Sequence, residues 1–113
     1  MNIYTIYKAT NIKNGKCYIG FDSNWPRRKK DHLSDSFNIK SNSYYTHFHN
    51  AIRKYGKENF ITEVLETTNA INVDEREEYY IKFYNSANKD IGYNIALGGK
   101  GRKVVEVSEE IRT

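Results

Sequence analysis

The chain opens on an alternating pattern, with Ile3, Thr5, Tyr7 and Ala9 on one side and Tyr4, Ile6 and Lys8 on the other. A period of two in strong strand formers predicts an extended segment over residues 3–10. Residues 11–16 are polar and contain Asn14-Gly15, a pair that accepts the positive φ of a tight turn, and Cys17 to Gly20 reads as the returning strand of a hairpin. The period then lengthens. Asp22-Ser23-Asn24 offer capping side chains and Pro26 suits a first helical turn, so the cationic run from Trp25 to His32 is read as a helix ending near Leu33 or Ser34. Asp35 to Ser43 is polar and loop-like. Tyr44, Tyr45, Phe48, Ala51, Ile52 and Tyr55 recur at helical spacing, and Gly56 closes that helix.

Phe60 to Glu66 has strand composition, and Asn72 or Asp74 starts a last helix reaching about Asn85, with Val73, Tyr80, Ile81 and Tyr84 as its apolar stripe. Tyr93-Asn94-Ile95 is a short extended piece able to dock at the sheet. Residues 98–113 read as a flexible basic linker or tail, leaving residues 1–97 as one folded domain. Strands interleaved with helices after a tight hairpin predict an α+β fold with a small, mainly antiparallel sheet.

Composition narrows the function. At 113 residues there is room for one modest core, and 10 tyrosines and 5 phenylalanines supply large buried areas for it. The single cysteine, Cys17, excludes an internal disulfide and a cysteine-based zinc site and is expected as a small core residue. No apolar run is long enough to span a bilayer and the N-terminus lacks an apolar signal centre, so a cytoplasmic protein is expected. Residues 1–60 hold 11 Lys/Arg against 4 Asp/Glu, whereas residues 61–113 hold 7 against 10. Such asymmetry fits a polyanion approached from one side.

Glu77 is the most informative candidate. It stands four residues after Val73 and three before Tyr80, within the stripe that faces the core. An ionised carboxylate there needs a cation, donors or a metal, and Mg²⁺ suits a site with few carboxylates. A second reading stays open, in which Asp74-x-x-Glu77 is a capping box. Arg28 and His32 lie one turn apart, so the arginine can clamp a phosphate, or both can belong to a basic solvated face. His32 could carry a proton, donate to phosphate or pack at the core edge. Tyr7 and Tyr18 sit on neighbouring strands in unspecified register. His47 and His49 are read as surface residues on different helix faces.

Ile6-Tyr7, ten intervening residues, Tyr18-Ile19-Gly20, Arg28 eight positions beyond Gly20, a glutamate on a later helix and Tyr93-Asn94 together resemble the GIY-YIG nuclease domain over roughly residues 3–96. The helix around Glu75 to Ile81 and Gly92-Tyr93-Asn94-Ile95 look most like the phage homing endonucleases of that family. The resemblance implies a three-stranded antiparallel sheet flanked by helices and metal-dependent hydrolysis of DNA with Mg²⁺, or Mn²⁺ in its place. It would make Glu77 the metal ligand and Arg28 the stabiliser of the scissile phosphate. Tyr7 would serve or position the general base, Tyr18 would orient phosphate or water, and His32 and Asn94 would support them. Two departures stand out: Thr5 replaces the first glycine of the family name, and Ser43 stands where some relatives carry a loop histidine.

Arg27, Lys29 and Lys30 on the first helix, with Arg53, Lys54 and Lys57, are the expected DNA contacts. Such enzymes continue into a linker and a separate DNA-binding region, so that region or a dimer is the expected partner, in a bacterial or phage-infected cell. The rivals are a non-cutting nucleic-acid-binding module and a repair- or restriction-type nuclease of the same family.

Overall fold

A computed structural model describes residues 3–95; the expected basic tail from residue 98 lies outside the described residues. Three strands, β1 (Tyr4–Asn11), β2 (Cys17–Asp22) and β3 (Phe60–Thr68), form one antiparallel sheet in the order β2-β1-β3. Three α-helices, α1 (Arg27–Ser36), α2 (His47–Tyr55) and α3 (Val73–Tyr84), pack around it. The expected α+β architecture is what the chain adopts.

Gly15, at φ 79°, carries the hairpin turn, where a side chain would be strained. Pairing of Tyr7 with Gly20 and of Ala9 with Tyr18 settles the register, so both tyrosines point to one face while Ile6 and Ile19 point to the other. On the first face Ala9 packs with Phe48, Ala51 and Ile52 of α2 and with Tyr93. On the second, Ile6 and Ile19 pack with Val73 and Ile81 of α3. Between Ile6 and Tyr7 the pairing to β3 skips Leu65, a bulge that re-aims the strand beside Tyr7.

Helix starts differ from the expected ones. Pro26 is the cap position of α1 and not its first turn, and the capping oxygen comes from buried Asp22, whose Oδ2 accepts from the Arg28 N–H at 2.7 Å. The middle helix begins at His47 and not Tyr44, because Thr46 takes the extended cap conformation and its hydroxyl accepts from the His49 N–H. Tyr44 and Tyr45 therefore sit in the preceding turns.

β2 is an edge strand, and residues 92–94 cover part of that edge. The Tyr93 N–H donates to the Cys17 carbonyl, and the Asn94 amide both accepts from the Ile19 N–H and donates to the Ile19 carbonyl. One side chain thus replaces one residue of a neighbouring strand. Ser86, just past α3, donates to the same Asn94 oxygen at 2.7 Å, tying the end of α3 to β2. Cys17 is buried, as expected.

Candidate active site

A cleft of about 740 Å³ opens where β2, α1, α2 and α3 converge, and Tyr7, Tyr18, Arg28, His32, His49 and Glu77 line it. Each is delivered by a simple local rule. Tyr7 and Tyr18 share a sheet face with ring centroids 6.4 Å apart. Gly20 lies opposite Tyr7, and a Cβ there would overlap the Tyr7 hydroxyl and come within 2.6 Å of its Cζ. The glycine is therefore the space in which the tyrosine ring lies. Trp25, 5.2 Å away between centroids, bounds the ring on another side.

Arg28 is exposed along the cleft wall, near the start of a helix where its own N–H donates to Asp22. Glu77 is only 3% exposed. Because α3 starts at Val73, Asp74 lies inside the helix and cannot be the cap of a box with Glu77; the Asn69 side chain accepts from the Ile71 and Asn72 N–H groups instead. Its burial and its place in the cleft lining make Glu77 an acidic wall on the cleft shared by two phenols and a guanidinium. Next to it on α3, Arg76 bonds both oxygens of Glu66 on β3, which fixes the rotation of the helix that presents Glu77.

A line of short contacts crosses the interior behind the cleft. The Tyr7 hydroxyl lies 2.8 Å from His32 Nε2, His32 Nδ1 lies 2.8 Å from His49 Nε2, and His49 Nδ1 lies 2.9 Å from the Ser43 carbonyl oxygen. Burial first, then His49 and Arg28, pull the His32 pKa down to about 3, so its ring is neutral at ordinary pH. Burial also lowers His49, partly opposed by the Ser43 carbonyl. The Tyr7 phenol is pushed well above its ordinary value by burial and by Tyr18, and Arg28 pulls the other way through charge and hydrogen bonding.

Two expectations are corrected. His49 is not a surface residue: it is 3% exposed and bonded at both ring nitrogens, while His47 is exposed as expected. Its position beside Phe48 and three before Ile52, both buried, was the available signal. Arg53, expected on DNA, donates to the Ser36 and Tyr44 carbonyls and stacks on the Tyr44 ring at 3.7 Å. It staples the loop between α1 and α2 and leaves the set of phosphate contacts. Arg27, Lys29, Lys30, Lys54 and Lys57 remain exposed.

The pattern of the GIY-YIG catalytic domain matches residues 3–94. The chain belongs to the GIY-YIG family. Over 102 residues it is 30% identical to the Enterobacteria phage T4 protein named "Putative endonuclease segD", covering 90% of this chain and 41% of that one. The chain thus spans about two fifths of that relative's length. It superposes on the catalytic domain of homing endonuclease I-TevI with TM-score 0.69 and 30% identity, covering 82% of this chain and 98% of that one. A mutant of the same catalytic domain gives TM-score 0.66 at 29% identity, over 83% and 94%.

In this GIY-YIG domain the donor set fits a hard divalent ion of modest protein coordination. Among the described residues no three His, Cys, Asp or Glu groups gather as a full ligand cage. A buried carboxylate opening onto a cleft that admits water and phosphate oxygens is the arrangement Mg²⁺ accepts. Among the described residues no helix is long and apolar enough to cross a membrane.

Proposed function

We propose that the domain is a DNA endonuclease of homing type that hydrolyses phosphodiester bonds with Mg²⁺ or Mn²⁺. The observation that carries this reading is a buried carboxylate, Glu77, opening on the same cleft as Arg28 and two strand phenols. Binding alone gives an acidic wall no task beside a polyanion. Glu77 would hold the ion, whose chemistry there is Lewis-acid neutralisation of charge on the phosphate and the leaving oxygen.

The chain's own groups do the rest. Arg28, able to offer two parallel N–H bonds, takes the scissile phosphate and the charge that grows on it. Tyr7, its hydroxyl against His32 and its oxygen on the cleft, orients the attacking water and takes its proton while passing its own hydrogen to His32 Nε2. Tyr18 orients phosphate or water from the same sheet face. Asn94 supports both by pinning Ile19, which lies in β2 between Tyr18 and Gly20, the partner of Tyr7. Arg27, Lys29 and Lys30 on α1, with Lys54 in the last turn of α2 and Lys57 just beyond it, grip flanking phosphates.

The resemblance to homing enzymes and the partial coverage of the phage relative support a separate DNA-binding region as partner. One such site per chain cuts one strand per event, so a double-strand break takes a dimer or two successive events. A DNA substrate fits the cytoplasm of a bacterial or phage-infected cell.

Supercoiled plasmid provides the test. Wild-type protein with Mg²⁺ nicks it, EDTA stops the reaction, and Glu77→Ala and Arg28→Ala each lose on the order of 10³-fold in rate with the fold retained. Metal-independent cutting, or wild-type rates in both variants, overturns the reading. Tighter DNA binding by Glu77→Ala, with no cleavage by wild type, favours a non-cutting module.

A further inference from the structure

We propose that His49 is a positioning residue that decides which way the Tyr7 proton points. The inference rests on the nuclease reading above for its consequence, but its geometry stands alone. Ser43 offers a carbonyl oxygen, which can only accept, so His49 Nδ1, 2.9 Å away, carries the hydrogen. A neutral imidazole then has a bare Nε2, and His49 Nε2 must accept from His32 Nδ1 at 2.8 Å. His32 is thereby left with a bare Nε2, which accepts from the Tyr7 hydroxyl at 2.8 Å.

Three contacts in series therefore have one direction, set by a main-chain oxygen at the far end. The depressed basicity of both buried rings keeps each neutral, as this bookkeeping of hydrogens requires. The groups around the pair are Arg28 and Tyr7 on the His32 side and Asp35 and Arg53 on the His49 side.

The consequence falls on the cleft. With its hydrogen turned to His32, the Tyr7 oxygen presents lone pairs to the cleft, able to accept from the Arg28 guanidinium and from water. In the opposite tautomer His32 Nε2–H would donate to Tyr7, and the phenol hydrogen would point into the cleft toward phosphate. Tyr7 would change from acceptor to donor with no movement of its ring. His49 never touches the substrate, yet it selects between these two states. The phenyl ring of Phe48, stacked on Tyr18 at 4.3 Å and edge-on to His32 at 4.9 Å, holds the rings in register.

Two substitutions separate this role from simple packing. His49→Gln keeps an oxygen to accept from His32 Nδ1–H and an amide to donate to the Ser43 carbonyl, so kcat for plasmid nicking stays within about threefold of wild type. His49→Leu keeps the volume but offers no acceptor; kcat falls on the order of 100-fold while KM holds, the share that a positioned proton acceptor contributes. In the full chain, ¹⁵N NMR of the imidazoles reports His32 protonated at Nδ1 in wild type and in His49→Gln, and at Nε2 in His49→Leu. Wild-type kcat in His49→Leu, or a wild-type His32 protonated at Nε2, overturns the proposal. A wild-type protein that cleaves no DNA while showing His32 protonated at Nδ1 upholds the hydrogen-bond direction and removes the nuclease reading instead.

Discussion

The two faces of the sheet are built from adjacent residues of the same strands, yet they are held together by different physics. Ile6 and Ile19 face α3 in an aliphatic centre flanked by Tyr4, Phe21, Tyr80 and Tyr84; Tyr7 and Tyr18, one position away in each strand, face α1 and α2 among aromatic rings and histidines. The aliphatic centre of the first side is non-directional and gains its stability from area removed from water, with the Arg76 and Tyr80 bonds to Glu66 at its margin. The aromatic side contains groups that must be satisfied one by one, and its hydrogen bonds give it orientation. Glu77 joins the two, since it rises from the helix of the aliphatic side and opens on the cleft of the other. A strand period of two thus lets one sheet anchor a helix and present chemistry without assigning both tasks to one surface.

Breaking the aliphatic side should cost the most stability. Ile6→Ala, at a residue with no exposed surface, is expected to lose about 2–5 kcal/mol of unfolding free energy. Urea unfolding checks the loss; at temperatures where the variant remains folded, nicking should persist. A smaller stability effect, with a larger effect on activity, is expected from Gly20→Ala. The added methyl meets the Tyr7 ring, so overpacking costs about 1–3 kcal/mol and the phenol is forced off His32. Cleavage should then fall far more than the denaturation midpoint does, the reverse of Ile6→Ala.

The gentlest probe is pH. His32 protonates near 3 in the fold against 6.5 when free, so between those values the unfolded chain binds a proton that the folded chain refuses. Stability is complete above about pH 6.5 and is lost as pH falls toward 3, by up to about 1.4 kcal/mol per pH unit. His49 shifts in the same direction. Urea midpoints followed from about pH 7 to about pH 4.5 should drop, and His32→Asn should flatten the slope. A wild-type slope no steeper than that of the variant would remove the histidines from the explanation.

Much of the fold was legible because its signals are local. Alternation over residues 3–10, Asn14-Gly15 and the stripe through Val73 and Ile81 each depend on neighbours in sequence, and each produced the expected element. Glu77 stood out because a charge interrupted an apolar stripe. His49 did not, because spacing in a helix separates it from His47 without saying which of the two turns inward. The answer depends on a turn of chain near Ser43 that meets α2 through tertiary contacts. Arg53 misled for a related reason: its partners, the Ser36 and Tyr44 carbonyls, are main-chain atoms that no side-chain pattern announces. The register of Tyr7 and Tyr18 could be read only once the strand pairing was known.

The acceptor at the far end of the histidine pair belongs to the peptide backbone, so replacing the side chain of residue 43 cannot delete it. Drift at that position is tolerable as long as the loop keeps its course, and its course is kept by the guanidinium of Arg53 and the hydroxyl of Thr46, which donates to the same carbonyl at 2.9 Å. Part of what must be inherited to aim one phenolic hydrogen is therefore stored in an arginine that never enters the cleft.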